Sequence, residues 1–282
     1  MSSNTNLTGK AKKVVMSTAL KQALSYLEKD PETNIPKLME LVDKVVPNDW
    51  YGSQREAIQR AIDEKSNWYQ LILKIYELDP GVRKTFFQNF ILNASLNGSA
   101  IQQETAQREN CNVPWALLLD PTSACNLHCT GCWAAEYGNR LNLSFEELDS
   151  IITQGKELGT YMYIFTGGEP LVRKKDVIAL CEKHSDCEFL AFTNGTLIDE
   201  DFCQEMLRVK NFVPAISLEG FEDANDGRRG KGVYEKVHNA MALLKAHGLP
   251  FGISTCYRCF IYLVLPLYAR RKRRRSRPAS YS

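Results

Sequence analysis

Apolar positions change their period part-way along the chain. Over residues 11–110 they recur at helical spacing. Val14, Val15, Ala19, Leu20, Ala23, Leu24 and Leu27 mark one helical face. Ile35, Leu38, Met39, Leu41, Val42, Val45 and Val46 mark a second, which Pro47 should stop. A third helix is expected over Ser53–Leu78, with Ser53 as its N-cap. Asp79-Pro80-Gly81 should break the chain before a fourth helix over Val82–Leu96, and the polar run 97–112 reads as a linker.

From residue 114 short apolar runs alternate with helical stretches. Strands are expected at Trp115–Leu119, Tyr161–Thr166, Glu188–Thr193, Phe212–Leu218 and Phe251–Cys256. Between them, helices are expected at Phe145–Leu158, Lys174–Lys183, Asp199–Val209 and Val233–His247, the first with Ser144 and Glu147 as a capping box. Nearly continuous apolar strands separated by helices predict an α/β fold, a parallel sheet covered by helices. The chain thus divides into a helical N-terminal region (1–110), an α/β core (111–256) and a tail (257–282).

Composition refines this picture. With 44% hydrophobic and 24% charged residues the chain reads as globular. The net charge of +2 is unevenly spread, because residues 258–282 carry eight Arg or Lys and no acid, leaving the rest at −6. An acidic body gives no reason to expect nucleic acid. The tail breaks the alternation and its composition differs from the rest, as a disordered or aberrant end would; its Arg270–Arg275 run is read as having no selected role. The run 259–269 contains Pro266 and is too short to span a membrane. Residues 1–10 lack an apolar signal core, so a reducing, cytoplasmic setting is expected for the nine cysteines.

Three of those cysteines, Cys125, Cys129 and Cys132, form a C-x3-C-x2-C loop directly after the first strand. Such a loop can aim three thiolates at three corners of an iron–sulfur cube and leave one iron open. Zinc, with His128 or a distant cysteine as fourth ligand, is the alternative, although zinc sites favour paired C-x2-C arms. Cys181, Cys187 and Cys203 sit in apolar segments and should pack; Cys256 and Cys259 could form half a zinc site. Gly167-Gly168-Glu169-Pro170 follows the second strand, Thr193-Asn194-Gly195-Thr196 ends the third, and Ser217-Leu218-Glu219-Gly220 ends the fourth. Small polar residues therefore end three successive strands at one edge of the sheet, where parallel α/β folds place their chemistry.

The cysteine loop and Gly-Gly-Glu-Pro, in this order on consecutive strands, resemble the radical S-adenosylmethionine (SAM) superfamily over residues 114–256. The resemblance implies a partial TIM-like (β/α) barrel of five to six parallel strands. It implies that Cys125, Cys129 and Cys132 hold a 4Fe–4S cluster whose free iron chelates SAM. Reductive cleavage then yields a 5′-deoxyadenosyl radical that takes hydrogen from a substrate, a peptide or a small-molecule or cofactor precursor. Glu169 would orient the SAM ammonium, Gly167 and Gly168 would admit it, and Asn194, Ser217 and Glu219 would contact ribose or methionine. Arg229 would approach the SAM carboxylate, or else belong to a solvated basic turn. A ferredoxin or flavodoxin would supply electrons. Two departures stand out. Gly131 occupies a position that is often aromatic, with Trp133 one step later, and a sixth βα unit is missing. An inactive fragment and a zinc-binding interaction protein therefore remain alternatives.

Overall fold

A computed structural model describes residues 22–23, 25–45 and 52–256. Helices α1 (Pro31–Val45), α2 (Gly52–Asp63) and α3 (Asn67–Lys74) pack a small core of Leu27, Ile35, Ala61, Ile62 and Tyr69. The single helix expected over Ser53–Leu78 is thus two helices. The chain turns at Lys65, where φ is +45°, and Ser53 lies inside α2 instead of capping it. After the predicted break, Asp79 caps α4 (Pro80–Phe86) by accepting from Val82 N at 2.9 Å. The chain then widens into π-helical turns over Phe87–Gly98 and continues as α5 (Ser99–Glu109). The expected linker is therefore helical. Its polarity misled because Gln102, which looks like solvent-facing surface, is buried and donates to Gly159 O at 2.8 Å.

The α/β part follows the periodicity closely. Strands β1 (Ala116–Thr122), β2 (Met162–Gly167), β3 (Glu188–Thr193), β4 (Phe212–Ser217) and β5 (Gly252–Ser254) form one parallel sheet in sequential order. Helix α6 (Phe145–Glu157) joins β1 to β2, and its capping box is present: Glu147 N donates to Ser144 Oγ and Ser144 N to Glu147 Oε2. Helices α7 (Lys174–Lys183) and α8 (Glu200–Val209) cross to β3 and β4. Two helices, α9 (Glu222–Arg229) and α10 (Val233–Ala246), lead to β5. Helix α9 is very polar and has no apolar stripe to betray it; buried Asn225 anchors it by accepting from Glu219 N at 3.2 Å.

Every connection runs to the next strand in the same direction. With right-handed crossovers this keeps the helices on one face and curls the sheet as in a barrel, where a doubly wound sheet would reverse its order. One face of the sheet carries Tyr163, Phe165, Phe189 and Ile216, all fully buried in the main core with Leu148 and Ile152 of α6 and Cys181 and Cys203 of α7 and α8. The opposite face carries Leu118, paired with Ile164, and Phe192, paired with Ala215. Leu118 and Phe192 are exposed on this concave side.

Candidate cluster and cofactor site

The register of β1 shifts between Leu119 and Thr122, which swings the following loop over the end of β2. Three backbone bonds hold it there. Gly168 N donates to Thr122 O at 2.9 Å, Glu169 N to Ala124 O at 2.8 Å, and Ser123 N to Leu141 O at 2.8 Å. A side chain at Gly168 is sterically excluded, since its Cβ would stand 2.2 Å from Ala124 O.

The cysteine loop is clasped on both flanks. Toward β3, Asn126 donates to Thr196 Oγ1 at 2.9 Å and accepts from Asn194 Nδ2 at 2.8 Å; Asn194 Nδ2 also lies 4.0 Å from Cys125 Sγ. Toward α9, Thr130 N donates to Arg228 O at 2.8 Å. The three thiols line one cavity of about 230 Å³ together with Gly167, Gly168, Glu169, Asn194, Ser217 and Arg229. Thus nine of the residues singled out from sequence meet around one space.

Glu219, the tenth, does not line that cavity. It lies behind the cavity wall, 7% exposed, and accepts from Arg229 Nε at 3.0 Å and Nη2 at 2.6 Å, from Arg228 Nη1, and from Cys256 N at 3.0 Å. Burial raises its carboxyl pKa, but the two guanidiniums outweigh that effect and hold it below the ordinary value. Arg228, which sequence reasoning passed over, lines the cavity beside Arg229. The only sequence signal for it was adjacency in the basic turn.

Glu169 is 1% exposed and ties β2 to β3. It accepts from Thr193 Oγ1 at 2.7 Å, Asn194 N at 2.7 Å and Leu171 N at 2.9 Å. A carboxylate has about four acceptor positions, so one remains for a ligand donor. Burial raises its pKa, opposed by these hydrogen bonds and by Arg229. Burial also raises the Cys125 and Cys129 thiols, with Arg229 pulling Cys129 partly back.

Three thiols on one cavity, beside a carboxylate and two guanidiniums, are a donor set that would fit an iron–sulfur cube with one iron left open.

Sequential parallel strands with a thiol-lined cavity at their C-terminal ends define a barrel-type α/β protein. The chain belongs to the Radical SAM superfamily, whose family model matches residues 119–266. Similar curated proteins include Fe-coproporphyrin III synthase of Methanosarcina barkeri, 30% identical over 47% of this chain and 34% of that protein. PqqA peptide cyclase of Granulibacter bethesdensis is 29% identical over 50% of this chain and 39% of its own length. A solved structure of anSMEcpe with bound AdoMet and Cp18Cys peptide is 28% identical, covers 49% of this chain and 42% of that one, and has a TM-score of 0.42. The chain spans only 30–51% of the length of the first curated relatives it matches. No helix among the described residues is long and apolar enough to cross a membrane.

Proposed function

We propose that the chain is a radical SAM enzyme in which Cys125, Cys129 and Cys132 hold a 4Fe–4S cluster and the adjoining cavity takes S-adenosylmethionine. The observation that carries this reading is the convergence of the three thiols with Glu169, Asn194, Ser217 and Arg229 on one cavity at the strand ends. When bound and reduced, the cluster and SAM supply one-electron cleavage of the sulfonium and hence a 5′-deoxyadenosyl radical.

The chain's own residues divide the remaining work. The free acceptor position of Glu169 takes an ammonium donor. Arg229, oriented by the two hydrogen bonds it donates to Glu219, offers positive charge to a carboxylate. Asn126, Asn194 and Thr130 fix the loop so that the cysteines need little reordering on metal binding. Relatives named Fe-coproporphyrin III synthase and PqqA peptide cyclase support a cofactor precursor or a peptide as the substrate of this chain, with electrons from a low-potential ferredoxin or flavodoxin.

Anaerobic reconstitution with iron and sulfide should give about four iron per chain, and dithionite reduction with SAM should release 5′-deoxyadenosine. Stoichiometric zinc without that product refutes the proposal.

A further inference from the structure

Beside the thiol-lined cavity lies a larger one of about 560 Å³, and the two share Trp133 and Gly167. Its walls are mostly apolar or aromatic: Leu118, Trp133, Tyr137 and Leu141 are all more than half exposed to it or to solvent, an unusual density of large apolar surface in one place. The tail of β1 supplies the exception. Asp120 stands exposed in the irregular end of β1, where the register shifts, and lines this cavity together with Leu118. No hydrogen bond or ion pair reaches its carboxylate among the described residues, and it is the only acid or base lining the space. The neighbouring cavity has the opposite character, with Arg228 and Arg229 facing the thiols.

We infer that this larger cavity is the substrate subsite and that Asp120 selects a substrate with an apolar body and a cationic nitrogen, an ammonium or guanidinium group. The inference rests on the radical SAM reading and deepens it by naming a substrate class. A large apolar space calls for a hydrophobic body, while a single unpartnered carboxylate on its wall calls for one positive charge and disfavours an acidic substrate. Partial burial by the apolar walls raises the Asp120 carboxyl pKa, as expected of a group kept short of partners until a ligand arrives.

The test needs neither iron nor SAM. The full chain, as isolated, is titrated calorimetrically with 4-phenylbutylammonium, 4-phenylbutan-1-ol and 4-phenylbutanoate, probes alike in shape and different in charge. The ammonium should bind about fivefold more tightly than the alcohol, the gain expected of one partly exposed ion pair. The carboxylate should bind most weakly. Asp120→Asn should bring ammonium and alcohol within about twofold, and Asp120→Glu should keep the preference. Equal affinities for ammonium and alcohol in the unaltered chain, a preference that survives Asp120→Asn, or no binding of any probe overturns the inference. Failure of cluster loading would instead sink the enzymatic reading and leave the affinity order to be judged by itself.

Discussion

Glu188 opens β3 and is 1% exposed, yet neither carboxylate oxygen has a hydrogen-bond partner among the described residues. Burial pushes its pKa from an ordinary 4.5 up to about 8. The nearby Asn89 amide lowers it in part, but its Nδ2 is committed to Ser185 O and Cys187 O. The folded chain therefore keeps a proton that the unfolded chain loses between pH 4.5 and about 8. Folding stability should fall as pH rises through that window. At about 1.4 kcal/mol per pKa unit, ionising Glu188 in the unfolded state at pH 7 costs the native state about 3 kcal/mol, against under about 1 kcal/mol at pH 5. Glu188→Gln keeps the shape and removes the titration. Urea unfolding of both proteins from pH 5 to 8.5 should show the variant more stable by about 3 kcal/mol at pH 7, with the gap closing toward pH 5. A gap independent of pH, or a destabilised variant at pH 7, refutes the protonated carboxyl.

Replacing Cys125, Cys129 or Cys132 by Ala should cut reconstituted iron well below about four per chain, as read by metal analysis, whereas Cys111→Ala, exposed and outside the cavity, should not. Gly168→Ala should destabilise by about 1–3 kcal/mol and impair cluster loading, because its Cβ meets Ala124 O at 2.2 Å; Gly227→Ala, with nothing within 4 Å, is the silent control in a thermal melt. Glu219→Ala should free Arg228 and Arg229 from their shared acceptor and weaken SAM binding to the reconstituted protein about tenfold by equilibrium dialysis, and an unchanged affinity would show that the pair orients nothing.

The α/β half was legible because its strands are buried on one face and crossed by helices with apolar stripes. Tyr163, Phe165 and Phe189 point at helices wherever their periodicity says they should. The helical half was less so. The turn at Lys65 carries neither glycine nor proline, so nothing in the pattern interrupts Ser53–Leu78. Helix α5 and the π-helical turns bury amides, and polarity was mistaken for exposure. In the site, strand ends could be named from sequence because each carries small polar residues, but the order of contact could not. Glu219 reads as a ligand in sequence, and in the fold its carboxylate accepts from Arg228 and Arg229, of which Arg228 earned no notice beside Arg229. Asp120 became informative only when its lack of partners was visible in three dimensions.

The helical region has a physical task that its sequence did not suggest. The turns entering β2 and β3 expose carbonyls at the N-terminal edge of the sheet, where strand pairing has not begun. Asn89 donates to Ser185 O and Cys187 O, Asn93 to Asp186 O and Gln102 to Gly159 O, all at 2.8–3.0 Å. Asn211 serves the same rim from within the core by donating to Cys181 O, His184 O and Cys187 O. Two glycines let the backbones touch, for a Cβ at Gly98 would stand 2.4 Å from Gly159 O, and one at Gly159 would stand 2.6 Å from Gly98 O. Buried carbonyls left without donors would each cost about 1–3 kcal/mol, so the helices are a floor the sheet requires. They close the edge opposite the cysteines.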